Sequence, residues 1–235
     1  MSEELPDEAY AVALALQPKV GPATLRELSF DPPAVAWERL TGATSEARDE
    51  VRQQWAHHCD LGISVVLQDN PHYPKRLLGL PFAPAVLFCR GDPSVLNGLP
   101  TAAVIGTRSP TRYGIGVAAQ LGAELSAAGV SVVSGLALGI DGAAHEGACG
   151  AGAPPIAIMA GGVDQPYPRR HARLWERVSE LGVVVSESPA GGQTEKWRFP
   201  VRNRLMAALS DVVVVVESRH HGGSRHTVDA ALTLR

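Results

Sequence analysis

The stretch AAVIGTRSPTRYG, residues 102–114, joins a short apolar run to a glycine, a serine–proline pair and the beginning of an amphipathic pattern. The run before Gly106 is typical of a buried strand. Ser109 and Pro110 favour the N-cap and first turn of a helix, and apolar residues follow them at helical spacing. Strand, glycine turn and helix in this order predict one unit of a parallel α/β sheet.

Further units of this kind follow along the chain. Runs rich in β-branched residues alternate with helical segments, and strands that are apolar throughout are typical of a parallel sheet with helices on both faces. We therefore predict an α/β fold with strands at residues 102–105, 130–133, 155–159, 183–185 and 212–216.

The first 60 residues predict a small all-α domain, and residues 61–235 the main domain. Apolar residues Tyr10, Leu14 and Leu16 precede a break at 18–22 that has the form of a helix-hairpin-helix turn. Such a turn can hold a phosphate, but its acidic surroundings favour a structural role. Residues 61–100, with extended runs at 63–67 and 85–89 between prolines, are expected to form a connector that packs on the main domain.

The charge of the chain is unevenly distributed. The 235 residues have a formal net charge of −3, which by itself does not indicate a nucleic-acid-binding protein. Residues 1–60 hold eleven acidic residues against five Lys or Arg, a balance of −6, which leaves +3 for residues 61–235. Cys59, Cys89 and Cys149 lack the spacing of a disulfide framework or a zinc site. Since neither a signal-peptide pattern nor a membrane-spanning apolar run is present, we expect a cytoplasmic protein.

Glycine-rich loops after the predicted strands indicate an anion site. Gly106 and Thr107 precede a helix, and Ser134 and Gly135 begin a second loop at the same edge of the sheet. Backbone N–H groups in such loops can bind phosphates. The spacing does not match GxGxxG and no acid ends the second strand, which disfavours a nicotinamide dinucleotide. No cofactor is expected.

Two later loops have the same character. GGVD at 161–164 precedes a helix that begins with basic residues, where the helix dipole disfavours cations; an external anion and a solvated helix face are the alternatives. These residues are Arg169, Arg170, His171 and Arg173. After the last strand, a glycine-rich turn leads to Gly223 and Ser224. The adjacent His220 and His221 have no further ligand at a useful spacing, so no metal site is predicted.

The segment KWRFPVRNR, residues 196–204, holds four cations and two aromatic residues. Cations can neutralise phosphates, and the ring of Trp197 or Phe199 can stack on unpaired bases. The alternative is an arginine cluster paired with nearby carboxylates. It is disfavoured because Asp211 is the only acid between Glu195 and Glu217. The segment therefore predicts a site for single-stranded nucleic acid.

No catalytic set is recognised in the sequence. Ser134, Asp141, His145 and Glu146 could form a cluster, but we interpret Asp141 as the cap of the helix that carries His145. An enzyme would need a nucleophile with its base, paired carboxylates or a metal set. We predict that the protein binds a ligand and does not catalyse a reaction.

Several motifs together resemble those of the DprA/Smf family of DNA processing proteins. In chain order they read GTRSPTRYG (106–114), SGLALGIDGAAHEGA (134–148), GGVDQPYP (161–168), KWRFPVRNRLMAALSDVVVVVES (196–218) and GSRHT (223–227). The resemblance extends upstream to residue 61, and the N-terminal helices are compatible with the variable small domain of that family.

The resemblance implies an extended Rossmann-like fold and a basic pocket for single-stranded DNA. It also implies a homodimer that loads the RecA recombinase during natural transformation or recombination, without enzymatic activity. The family's DNA-contacting arginine matches Arg108, and its lysine before the aromatic segment matches Lys196. The expected DNA site comprises Gly106, Thr107, Arg108, Ser134, Gly135, Lys196, Arg198, Phe199, Arg202, Asn203, Arg204, Gly223 and Ser224.

The sequence departs from the family pattern in two places. It stops at Arg235 inside a predicted helix, whereas relatives continue into another strand, so a truncated chain is expected. Arg225 and His226 stand where many relatives have apolar residues. The alternative function is that of a nucleotide-hydrolysing enzyme of the lysine-decarboxylase-like Rossmann group. The PGGxGTxxE segment of that group corresponds here to GGSRHTVDA, with Asp229 in place of glutamate.

Overall fold

A computed structural model of the chain describes residues 5–218 and 222–234. Within these ranges one seven-stranded sheet has the order β1-β2-β6-β5-β4-β3-β7. Its strands are β1 (Ile63–Leu67), β2 (Val86–Gly91), β3 (Thr101–Gly106), β4 (Ser131–Ser134), β5 (Ile156–Ile158), β6 (Val183–Ser186) and β7 (Val212–Glu217). The helices are α1 (Asp7–Leu16), α2 (Pro22–Leu28), α3 (Pro33–Thr41), α4 (Ser45–Asp60), α5 (Arg112–Ala127), α6 (Ile140–Ala148), α7 (Ala172–Leu181), α8 (Arg198–Ala208) and α9 (Ser224–Thr233).

The five predicted strands form the parallel part of the sheet, from β6 through β5, β4 and β3 to β7. The expectation of a packed connector is wrong in one respect. Its two extended runs are β1 and β2, which enter the sheet as antiparallel strands next to β6, so the predicted parallel sheet is mixed. Antiparallel neighbours need only a short connection, whereas parallel neighbours need a crossover, and the segment between β1 and β2 contains only a short 3-10 turn.

Helices α5 and α6 pack closely over one face of the sheet. A Cβ atom at Gly122 would collide with the carbonyl of Ala144, and one at Gly147 would collide with the carbonyl of Ala119. The two backbones can therefore approach only because both positions lack a side chain. This contact fixes the start of α6 at the edge of the sheet where the loops after β3 and β4 lie.

The first helix after β3 begins later than predicted. Its N-cap is Thr111, whose Oγ1 accepts from the N–H of Gly114 at 3.0 Å, and Ser109 and Pro110 remain in the loop. The carboxylate of Glu217, at the end of β7, accepts from the N–H of Thr111 at 3.0 Å and from its hydroxyl at 2.8 Å. This tertiary contact makes Thr111 the cap.

Helices α1 to α4 occupy the predicted N-terminal range and share a hydrophobic core with the sheet. Buried residues of this core include Trp37 and Val51 from the helices and Ile63, Val65 and Phe88 from β1 and β2. The division into two domains at residue 60 remains a prediction. No helix in the described ranges is long and apolar enough to cross a membrane.

Candidate nucleic-acid interface

A cavity of about 580 Å³ opens at the carboxyl ends of the parallel strands, between the loops that follow β3 and β7. Strands β4 and β5 lie on one side of β3, and β7 lies on the other. The strand order therefore reverses between β3 and β7, and open α/β sheets bind their ligands at such a switch point. The first turns of α8 and α9 complete the wall of the cavity.

The structure brings most of the predicted site residues together in this cavity. Its lining includes Gly106, Thr107, Arg108, Lys196, Phe199, Arg202, Asn203, Gly223 and Ser224. Four predicted residues do not line it: Ser134, Gly135, Arg198 and Arg204. The sequence interpretation did not assign Tyr167 and Asp141 to the site, although both line the cavity. Tyr167 lies in the GGVDQPYP motif, which was the available signal.

Aromatic side chains form one wall of the cavity. The guanidinium of Arg108 lies over the ring of Phe199, with its carbon 4.6 Å from the ring centroid. Tyr167 contacts the same ring at a centroid distance of 5.8 Å and an interplanar angle of 48°. Trp197, the other stacking candidate, does not line the cavity because its Nε1 donates to Glu195 Oε2 at 2.9 Å. The stacking surface at this cavity is therefore Phe199 with Tyr167.

Two of the cations at the cavity have no carboxylate partner. Among the residues that the structure describes, neither Arg108 nor Lys196 forms an ion pair. By contrast, Arg39 and Arg48 on the N-terminal helices pair with Asp31 and Glu38 at 2.5 and 2.8 Å. Positive charge without a partner at a concave surface attracts an anion from solution.

Arg202 has a different role from the predicted one. Its side chain is buried, and its guanidinium donates to the carbonyl of Gly135 at 3.0 Å and to the carbonyl of Ile158. It thereby ties the ends of β4 and β5 together at the base of the cavity. A Cβ atom at Gly135 would overlap this guanidinium, which explains the glycine. Burial lowers the pKa of Arg202 to about 10, although Asp141 acts in the opposite direction.

Arg204 and Arg198 are paired within the protein and do not line this cavity, and their contact with DNA stays a prediction. Arg204 Nη2 lies 2.6 Å from Glu187 Oε1, and both side chains are largely buried. Arg198 donates to the hydroxyl of Ser188 at 2.6 Å and approaches Glu195 at 3.4 Å. The disfavoured alternative, a salt-bridged arginine, is thus right for these two residues. Glu187 lies 17 residues before Arg204 in the sequence, outside the segment 195–217.

Ser134 does not line the cavity, and its predicted role as a phosphate donor stays a prediction. Its hydroxyl is buried and donates to the carbonyl of Val104 at 2.6 Å, which links β4 to β3. Small polar residues at strand ends often satisfy neighbouring backbone groups in this way. Ser134 therefore stabilises the pairing of β3 and β4 next to the cavity.

The prediction that Asp141 caps α6 is wrong. Gly139 is the N-cap, and Asp141 lies in the first turn of the helix. Burial raises the pKa of Asp141, while Arg202 and backbone hydrogen bonds from Gly106 and Gly135 act to lower it. Asp141 thus lies beside both glycine loops at the base of the cavity. His145 is fully buried, and Glu146 pairs with Arg177 at the surface at 2.6 Å. The His220–His221 pair lies outside the described residues.

A second groove of about 640 Å³ adjoins the first cavity at Tyr167, which lines both. Arg169 lines this groove, and Arg170 and Arg173 follow it on exposed positions. None of the three forms an ion pair with a residue in the described ranges. Exposed arginines without an ion pair fit both alternatives for this basic helix start, an external anion and a solvated helix face.

The family model of DNA recombination-mediator protein A matches residues 64–235 of this chain. The chain belongs to this family. The match includes every element that borders the cavity, from β3 to α9.

Individual relatives agree with this assignment. DNA processing protein DprA of Bacillus subtilis is 36% identical over 177 residues, which are 75% of this chain and 60% of that protein. Protein Smf of Synechocystis is 30% identical over 246 residues, which cover 96% of this chain and 62% of that protein. A putative DprA of Mycobacterium tuberculosis is 43% identical over 153 residues, covering 65% of this chain and 39% of that protein. The chain thus spans less than two thirds of each of these relatives.

Two solved structures have the same fold. DNA processing protein A of Streptococcus pneumoniae has a TM-score of 0.74 and 26% identity, over 99% of this chain and 85% of that one. The protein from Helicobacter pylori has a TM-score of 0.67 and 31% identity, over 73% of this chain and 77% of that one. The Helicobacter protein is described by its single-stranded DNA binding mode.

Proposed function

We propose that the chain binds single-stranded DNA in the cavity between the β3 and β7 loops and serves as a recombination mediator in the cytoplasm. Arg108 and Lys196 would neutralise phosphates, and backbone groups near Gly106 and Gly223 would donate hydrogen bonds. The face of Phe199 would stack on an unpaired base, which a duplex cannot offer. The observation that carries the proposal is the pair of cations without carboxylate partners beside an aromatic wall.

The wider role is proposed at the level of the family. A mediator that binds the backbone with little sequence preference can hold any incoming strand, because phosphate contacts carry no sequence information. We propose that the longer protein acts as a homodimer and passes the strand to the RecA recombinase during transformation or recombination. Family membership and the description of the Helicobacter relative support this role.

The enzymatic alternative has less support. In the lysine-decarboxylase-like group, the acid of the glycine-rich segment would have to face the bound nucleotide, and Asp229 is its counterpart here. Asp229 is exposed on α9 and does not line the cavity. An assay for free adenine released from adenosine monophosphate tests this alternative directly, and we expect no release above that of buffer.

The first test of DNA binding is fluorescence anisotropy of a labelled oligo-dT and of a duplex of the same length. We compare the intact chain, the double variant Arg108→Ala/Lys196→Ala and the control Arg48→Ala/Lys75→Ala. The control removes the same charges from positions outside the cavity. We expect tighter binding of the single strand by the intact chain and the control, and loss of that preference in the cavity variant. Equal binding of all three proteins to the single strand would reject the proposed site.

A further inference from the structure

His58 joins the N-terminal helices to the loops around the candidate site. It lies near the end of α4, and its side chain is 1% exposed. Its Nδ1 is 3.0 Å from the carbonyl oxygen of Gln54, one turn earlier in the helix. Its Nε2 is 3.1 Å from the backbone nitrogen of Ala190. Because an N–H of the backbone can only donate, Nε2 is the acceptor and the proton of the neutral ring resides on Nδ1.

The turn at residues 189–192 is held by few contacts besides this one. The N–H of Gly191 donates to Asp164 Oδ1 at 3.1 Å, and the N–H of Gly162 donates to the carbonyl of Gly192 at 2.8 Å. Both contacts come from the loop after β5. Among the hydrogen bonds of this turn within the described residues, only the bond to His58 therefore comes from the N-terminal helices.

This turn leads directly to the candidate DNA site. Gly191, Gly192 and Thr194 line the second groove, and Lys196 follows on the rim of the first cavity. A shift of the turn would therefore move Lys196, since only three residues lie between it and Gly192. A positioning contact matters at such a place because the segment 191–195 has no helix or strand of its own.

A purely space-filling role does not explain a histidine at this position. The ring packs against Phe88 of β2 at a centroid distance of 5.8 Å, where an aliphatic side chain would bury apolar surface without a polar cost. The imidazole instead satisfies the N–H of Ala190, which would otherwise be a buried donor without a partner. The ring of His58 thus packs in the core, and its Nε2 also supplies the hydrogen-bond acceptor that the turn needs.

We propose that His58 is a positioning residue for single-stranded DNA binding, through its hydrogen bond to the turn that leads to Lys196. The N-terminal helices are then part of the DNA-binding apparatus, although no residue of theirs lines the cavity. This inference rests on the proposed function, because it concerns the affinity of the same site.

The test compares two variants of this position. His58→Gln keeps an acceptor at about the distance of Nε2, whereas His58→Leu fills the volume without one. For His58→Leu we expect binding of oligo-dT to weaken by about tenfold or more, and for His58→Gln we expect binding close to that of the intact chain. Amide hydrogen exchange of residues 187–196 should accelerate in His58→Leu and not in His58→Gln. A merely structural role would not separate the two variants in this way.

A double-mutant cycle with Lys196→Ala gives the second readout. If His58 acts by positioning the segment that carries Lys196, the leucine variant should lose little further affinity once Lys196 is absent. Full additivity of the two losses, or normal binding by a folded His58→Leu protein, would overturn the inference. If His58→Leu does not fold, the nitrogen chemical shifts of His58 in the intact chain decide: a proton on Nε2 would overturn the inference.

The outcomes also separate this inference from the proposed function. If the intact chain fails to bind oligo-dT, the proposed function is wrong, and the exchange of residues 187–196 still reports whether His58 holds the turn. Faster exchange in His58→Leu together with unchanged DNA affinity would refute the positioning role and leave the DNA site intact.

Discussion

The guanidinium carbon of Arg108 lies 4.6 Å from the centre of the Phe199 ring, so that the loop after β3 meets the first turn of α8 across the candidate site. A cation over an aromatic face contributes about 0.5–1 kcal/mol at exposed positions. The same arrangement presents a positive charge and a stacking surface to one strand. This local pairing is the basis of the prediction for Phe199 below.

Replacing Lys196 by alanine should weaken binding of oligo-dT at every salt concentration. If Lys196 neutralises one phosphate, the slope of log affinity against log salt concentration should fall by about 0.7, the value for one contact to a single strand. Titrations between low and moderate salt measure this slope. The control Lys75→Ala removes a lysine away from the cavity and should leave the slope unchanged. An unchanged slope for Lys196→Ala would show that this lysine contacts no phosphate.

Replacing Phe199 by leucine should reduce the affinity for single-stranded DNA by about 1–3 kcal/mol, the usual value for one stacked base. Binding to duplex DNA should change little, because paired bases are not free to stack on the ring. Phe199→Tyr should retain most of the affinity, since the aromatic face remains. The control is Phe30→Leu, which alters a phenylalanine that is 89% exposed in the turn between α2 and α3. Equal losses for the single strand and the duplex would argue against stacking.

Arg204→Met should lower the free energy of unfolding by about 3–5 kcal/mol, because it leaves the largely buried carboxylate of Glu187 without its partner. Urea denaturation measures the loss. The double variant Arg204→Met/Glu187→Met should recover much of the stability, since no buried charge remains. If Arg204→Met instead kept full stability and lost DNA affinity, the sequence-based role of Arg204 as a DNA contact would be restored.

The free energy of unfolding should fall as the pH drops from about 6.5 towards 4. Burial lowers the pKa of His145 to about 4. Between pH 6.5 and pH 4 the imidazole of His145 therefore binds a proton more readily in the unfolded chain than in the folded one. Over this whole interval the lowered pKa of His145 reduces the free energy of unfolding by about 3 kcal/mol. Burial also lowers the pKa of His58, which changes the free energy of unfolding in the same direction. Urea unfolding at several pH values measures the slope. His145→Leu should flatten it, whereas His57→Leu, at an exposed position, should not.

Local patterns were sufficient to predict the parallel strands and the glycine loops. The runs that form β4 and β6 are buried on both faces, so their residue types alone indicate the strands. The run of five valines in β7 lies at the edge of the sheet and is only partly buried. The cavity followed from this prediction, because the carboxyl ends of parallel strands lie at one edge of the sheet. Arg108 and Phe199 belong to the segments that the sequence indicated.

The errors arose where partners are distant in sequence. Glu217 selects Thr111 as the helix cap from 106 positions away, and Glu187 neutralises Arg204 from the end of β6. Arg202 is held by backbone carbonyls at the ends of β4 and β5, which carry no sequence signal. A count of nearby acids could detect none of these contacts. The charge of the segment at 196–204 therefore indicated a basic cavity, but not that Arg198 and Arg204 are paired within the protein and do not line it.

Because β7 lies beside β3, the candidate site is completed only late in the synthesis and folding of the chain. Pairing of these strands closes a long chain segment, and such distant contacts form late because the loop-closure entropy must first be overcome. Until α8 has emerged from the ribosome, a growing chain displays Arg108 without Phe199. A partly synthesised chain therefore lacks one wall of the candidate site, and under the proposed function only chains that have finished folding bind a strand.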